Sequence, residues 1–232
     1  MCVVALALNA HPKWSIILAG NRDELHARPS APLAQWEGTD SQIIAGRDLV
    51  SGGTWLGVST TGRLAVVTNI RTGALPDPDK LSRGDLVADY LRGAALPPHD
   101  ALDDYNPFSL LTLGPEGAAL CANRPAAAFM ALPPGLHALS NGLPDEDWPR
   151  KNRLMHHFES VLNNSTDLTA ELLDILAKED TADSPFIRNT YYGTRCSTIL
   201  LIDYAKRGTI TEQCFDAEGC ALEKTQQHFV FG

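Results

Sequence analysis

Apolar residues in this chain arrive in short bursts closed by turn residues, and through the first seventy or so positions they show no helical spacing. Residues 3–9 and 14–20 are two such runs. The turn-like Asn9-Ala10-His11-Pro12-Lys13 lies between them, and the pair predicts a hairpin. Residues 43–48 and 54–69 continue in the same manner, with Gly52-Gly53 and Thr61-Gly62 as turn signals. Their richness in Val, Ile, Leu and Trp favours strands. At Ser82 the period changes. Ser82 is placed to cap a helix with Asp85 three residues on, a variant of the capping box, and Leu86, Val87, Tyr90 and Leu91 then share one helical face.

Further strands are predicted at 108–113, 118–122, 127–132 and 136–140. A helical block follows, with Leu154, Phe158, Val161 and Leu162 on one stripe and Leu168, Leu172, Ile175 and Leu176 on another. Strands then close the chain, at 196–203 and 209–216. Blocks of strands and helices without regular βαβ alternation predict an α+β fold with a largely antiparallel sheet. The Pro-rich stretches read as surface loops, so one domain spanning 1–232 is expected.

The net charge of −9 argues against general affinity for nucleic acid or an anionic membrane, which need basic patches. No apolar run approaches the roughly 18–20 residues of a membrane span, and no basic n-region precedes residues 3–8. A cytoplasmic location is the expectation. The five cysteines lie at 2, 121, 196, 214 and 220 with no CxxC and no zinc-ligand doublet. Reduced, mostly buried thiols are expected for four of them. His156, His157 and Glu159 share a helix, but adjacent histidines point about 100° apart and chelate poorly together, so no metal site is expected.

Four polar stretches abut apolar runs: 19–24, 66–71, 139–142 and 193–198. Buried charges there need partners, so Arg22, Asp23 and Arg195 are expected to pair with one another or with a ligand. Taken singly, Asn69 and Asn141 are turn residues and Arg195 a solvated arginine. Taken together, with Cys2 at the head of an apolar strand, they form a constellation. The tetrad Asn21-Arg22-Asp23-Glu24 with Cys2 resembles the NRDE family, which takes in the transport and Golgi organisation proteins of animals. The likeness runs in order through GGTWLGV (52–58), LAVVTNIR (64–71), SRGDLV (82–87), LSNG (139–142), WPR (148–150) and YGTRCSTIL (192–200).

That family is similar in plan to the cysteine N-terminal-nucleophile hydrolases. The resemblance implies a four-layer αββα sandwich with two largely antiparallel sheets. It implies Cys2 as nucleophile, Arg22 and Asp23 as its early partners, Asn69 and Asn141 as oxyanion donors and Arg195 as the late arginine. Trp55 and Arg71 are candidate substrate contacts, Trp55 as a pocket wall and Arg71 near an anionic group. Removal of Met1 would leave Cys2 with a free α-amine able to act as base for its own thiol. The expected reaction is hydrolysis of a linear, non-peptide amide, without a cofactor. A second class stays open on the same fold, a non-catalytic carrier of haem or an acyl ligand. The expected partner is a small amide or acyl molecule, and a homodimer stays open.

Overall fold

The computed structural model of the chain describes residues 2–143 and 146–232; Met1, on whose removal the expected chemistry turns, lies outside the described residues. In chain order the strands are β1 (Val3–Leu8), β2 (Trp14–Leu25), β3 (Ser30–Gln35), β4 (Ile43–Asp48), β5 (Leu56–Ser59) and β6 (Arg63–Asn69). After helix α1 (Arg83–Arg92) come β7 (Phe108–Gly114), β8 (Gly117–Ala122), β9 (Ala128–Ala131) and β10 (Gly135–Leu139). Helices α2 (Pro149–Asn164) and α3 (Leu168–Leu176) precede β11 (Tyr192–Asp203), β12 (Arg207–Phe215) and β13 (Ala221–Val230). The described residues divide into two compact units, one holding 2–28, 134–140 and 146–230, the other 29–133, 141–143 and Phe231–Gly232.

The first unit is built on a sheet of order β10-β1-β2-β11-β12-β13, antiparallel throughout. The hairpin expected at the start is present, with Val3 opposite Asn21 and Leu8 opposite Ile16. Because side chains alternate between faces, Val3, Ala5 and Ala7 share one face with Ile17, Ala19, Ile199 and Leu201. Against that face pack Leu154, Phe158 and Val161 of α2 and Leu172, Ile175 and Leu176 of α3. Full burial of Leu154 or Phe158 contributes about 1.5–3 kcal/mol each.

The second unit is a sheet of order β3-β4-β5-β6-β7-β8-β9, again antiparallel, with α1 on one face. Leu86, Val87, Tyr90 and Leu91 of α1 meet Ile43, Ala45, Ala65, Val67, Phe108 and Leu110. The glycines of two motifs explain how the helix comes so near. A Cβ on Gly53 would lie 2.5 Å from the carbonyl carbon of Gly84, and the Thr54 amide donates to the Gly84 oxygen at 3.2 Å. Each unit thus supplies one sheet and one helical layer, an α+β fold of two antiparallel sheets.

Three local expectations are corrected. Ser82 occupies the N-cap of α1 without a side-chain capping bond, so the capping box does not form, although Gly93 ends the helix in the left-handed region. β2 runs on through the tetrad to Leu25 rather than stopping before it. Two strands escaped the hydrophobic pattern, β3 and β13. Both are edge strands, and β3 contains Pro32 while β13 is mostly exposed and polar, which edge positions tolerate. Among the described residues no helix is long and apolar enough to cross a membrane.

Candidate active site

The tetrad lies inside β2, so its residues divide between two faces. Asn21 and Asp23 follow Ala19 onto the face covered by α2 and α3, where an unpaired polar group is costly. Both are fully provided for. Asn21 Nδ2 donates to the Leu176 and Pro185 carbonyls, each at 2.9 Å, and its Oδ1 accepts from Ser197 Oγ at 2.6 Å. Asp23, only 2% exposed, accepts from Thr194 Oγ1 at 2.7 Å on Oδ1 and meets Arg150 Nη1 at 2.6 Å on Oδ2. Its backbone carbonyl accepts from the Tyr192 hydroxyl at 2.7 Å.

Arg150 stands in the first turn of α2, directly after Pro149, whose missing N–H is harmless there. Its Nε donates to the Ser184 carbonyl at 3.2 Å and its Nη2 to the Pro185 carbonyl. Asp23 therefore takes its counter-charge from α2. Arg195 looks elsewhere: it sits at a bulge in β11 and donates through Nη1 to the His26 carbonyl at 2.7 Å. Arg22 lies 3.9 Å from Glu24. Asp23 thus pairs with Arg150 and not with Arg195, and alternation sends Arg22 to the opposite face from Asp23. Burial pushes the Asp23 carboxyl above its ordinary range, and Arg150 and Thr194 pull against that.

On the other face the register sets up a row. Arg22 is opposite Cys196, and Cys196 is opposite Cys214. Continuing the β1–β2 register from the Val3–Asn21 pair brings Cys2 level with Arg22. Cys2 is buried, and its carbonyl accepts from Ser140 Oγ at 3.2 Å. Burial pushes its thiol up and the Asp23 carboxylate adds to this, while the Asp23 backbone N–H and Arg22 pull it back. Arg22 lowers this thiol, but burial outweighs it. Cys196 is driven well above the usual thiol range and Cys214 up to about 12, each chiefly by burial, with the nearby Glu212 carboxylate adding to both. All five thiols are free; Cys121 is buried, Cys214 half-buried and Cys220 exposed.

In the second unit Asn69, Asn141 and Arg71 come together. Asn141 Nδ2 donates to the Asn69 carbonyl at 2.9 Å, and the Arg71 amide donates to the Asn141 carbonyl at 2.7 Å. Asn141 is 1% exposed, and its Oδ1 has no hydrogen-bond partner among the described residues. Trp55 is buried and Arg71 exposed. Sequence reasoning missed Arg150. Its signal was present in Trp148-Pro149-Arg150, where Pro at a helix start places the next residue on the first turn, but nothing local tied it to Asp23.

Comparison with known proteins agrees with this architecture. The profile of the family described as Transport and Golgi organisation 2 matches residues 1–217. A human Transport and Golgi organization protein 2 homolog is 31% identical, over 92% of this chain and 92% of its own length. The Drosophila melanogaster protein is 26% identical, over 75% of this chain and 69% of its own. Among solved structures, a Caenorhabditis elegans N-acylethanolamine-hydrolyzing acid amidase ortholog superposes with a TM-score of 0.58 at 14% identity, covering 86% of this chain and 92% of that one. A variant of the conjugated bile acid hydrolase from Clostridium perfringens gives 0.54 at 8% identity, covering 100% and 97%. At such identities the likeness is one of fold, that of the N-terminal-nucleophile hydrolases. The sequence matches carry more: this chain belongs to the Transport and Golgi organisation 2 family.

Proposed function

We propose that the chain is an amidohydrolase of the cysteine N-terminal-nucleophile type, cleaving the C–N bond of a linear, non-peptide amide through an acyl-Cys2 intermediate once Met1 is removed. The observation that carries this reading is the pairing of a buried cysteine at position 2 with a buried carboxylate, Asp23, whose backbone N–H also acts to lower the thiol. A thiol held up by burial ionises poorly by itself and needs a base. The α-amine freed by loss of Met1, with a pKa near 8, is such a base on the same residue, and Asp23 is the group to hold it as an ammonium.

The steps then balance without a cofactor. The α-amine takes the thiol proton and the thiolate attacks the amide carbon. The tetrahedral intermediate collapses as the α-ammonium returns the proton to the leaving amine. Water, deprotonated by the same amine, then attacks the acyl carbon, the C–S bond breaks to release the acid, and the ammonium returns its proton to the Cys2 sulfur. Asn69 and Asn141 enter as oxyanion donors on the resemblance alone, and Arg195 as a contact for substrate or for the end of β2. The solved structures of similar fold include an N-acylethanolamine-hydrolyzing amidase and a conjugated bile acid hydrolase, in keeping with an N-acyl amide as substrate.

Intact mass of the protein from its native host, followed by amine release from a panel of N-acyl amides with Cys2→Ser as control, tests the proposal. The expected result is a chain beginning at Cys2 whose turnover falls by roughly 10³-fold or more on substitution. Retention of Met1, or binding of the amides without turnover, overturns it. The second of these is what a carrier on this fold would show.

A further inference from the structure

We infer that Arg150 is a positioning residue for the proposed reaction: from the first turn of α2 it holds the Asp23 carboxylate in its charged form beside Cys2. Asp23 has no exposed side-chain surface and Arg150 about a tenth of its own, 0% against 9%. The carboxylate is gripped at both oxygens, by Thr194 on Oδ1 and by Arg150 on Oδ2. The guanidinium is fixed in turn by the Ser184 and Pro185 carbonyls, so it has one place to sit. Arg150 touches none of the reacting atoms and acts through Asp23.

A buried carboxylate that loses its main cation takes up a proton more readily, even with the positive N-terminus beside it. A neutral Asp23 no longer holds an α-ammonium at Cys2, and the base of the reaction loses its anchor. Among the described residues the groups that face Asp23 are Arg150 from α2 and Thr194 and Tyr192 from β11, with Cys2 ahead of β1; Arg150 is the side-chain cation among them and acts on the carboxyl more strongly than the positive N-terminus does. The inference takes its catalytic meaning from the proposed hydrolase, but the coupling of Arg150 to Asp23 is measured without any substrate.

The experiment uses the full chain released from an N-terminal fusion so that it begins at Cys2. Alkylation of Cys2 by iodoacetamide is followed against pH by peptide mass, in wild type, Asp23→Asn, Arg150→Met, the double variant and Arg150→Lys. The Asp23 charge is one of the groups holding the thiol up. Asp23→Asn is therefore expected to move the midpoint down by about half a unit or more. Arg150→Met is expected to move it the same way by the same amount, with no further shift in the double variant, and Arg150→Lys to keep the wild-type midpoint. A wild-type or raised midpoint in Arg150→Met overturns the inference, as does a shift that adds to that of Asp23→Asn. Should Arg150→Met not fold, Arg150→Gln, which keeps donors for Ser184 and Pro185 without the charge, is judged by the same outcomes. Amine release by the same wild-type chain is scored separately. Its absence removes the hydrolase reading while the alkylation cycle still decides the role of Arg150.

Discussion

Asp23 is the residue of the first unit with most to lose. Breaking a buried ion pair by removing one partner costs about 3–5 kcal/mol, more than a typical core deletion of one or two methylenes. Thr194 supplies the second grip. Thr194→Val keeps the shape, removes the hydroxyl bond to Asp23 Oδ1, and is expected to cost about 1–3 kcal/mol in urea unfolding. Cys121 gives a cleaner test of burial. Its thiol is pushed up to about 12 by burial, from an ordinary 9.0. A raised folded value means stability fully present below the unfolded value and lost as pH rises through the folded one. The advantage of wild type over Cys121→Ala should therefore hold steady up to pH 9 and shrink between 9 and 12. An advantage that grew over that window would contradict the assignment. The buried Asp23–Arg150 pair was out of reach of the sequence. A carboxylate at 23 demands a cation, but the chain offers many arginines and no local rule selects the one at 150.

Most of the strands and helices α1, α2 and α3 follow directly from apolar spacing, because each buries a stripe or a face against a partner layer. The elements that spacing failed to announce are those with little to bury. β13 has a polar, largely exposed sequence, and it is held through backbone pairing to β12 along Arg207 to Phe215. The glycines of α1 and the β4–β5 connection make an element-level prediction. A Cβ at Gly53 falls 2.5 Å from backbone carbon, whereas one at Gly84 has its nearest neighbour at 3.2 Å. Gly53→Ala forces the helix away from the sheet and should cost about 2 kcal/mol or more, with Gly84→Ala distinctly milder by the same denaturation measurement. Equal costs would mean that the helix contact gives way freely. Ser82, by contrast, makes no side-chain cap bond, so Ser82→Ala is not expected to carry the usual penalty of a lost cap.

Across the chain, positions far apart in sequence meet in space. β2 pairs along its length with β11, so Asp23 finds Thr194 and Asn21 finds Ser197 across more than a hundred and seventy positions, |i−j| being 171 and 176 for the two hydrogen bonds. Reading from one end could place Cys2, Arg22 and Asp23 in order but not on their faces. The resemblance supplied the ordered set that composition and periodicity alone did not. A chain cut after residue 191 loses β11, β12 and β13, half of the six-stranded sheet, and leaves the edge of β2 that faced β11 unpaired. Such a fragment is expected to be insoluble or to lack native far-UV dichroism. A soluble fragment with an unchanged spectrum would show that the first sheet is held together by something other than this pairing.

The alternation within β2 also turns the tetrad into two interleaved instructions written on one string. Asn21 and Asp23 answer to the helices, the 184–185 segment and β11, while Arg22 answers to Cys196 and the row leading to Cys2. A saturation scan over 19–23 should therefore give a sawtooth. Unfolded or degraded protein would dominate at the odd positions, and folded protein with altered thiol chemistry would appear at Arg22. What looks in one dimension like a single four-letter word is, in the folded chain, two separate vocabularies that share a backbone.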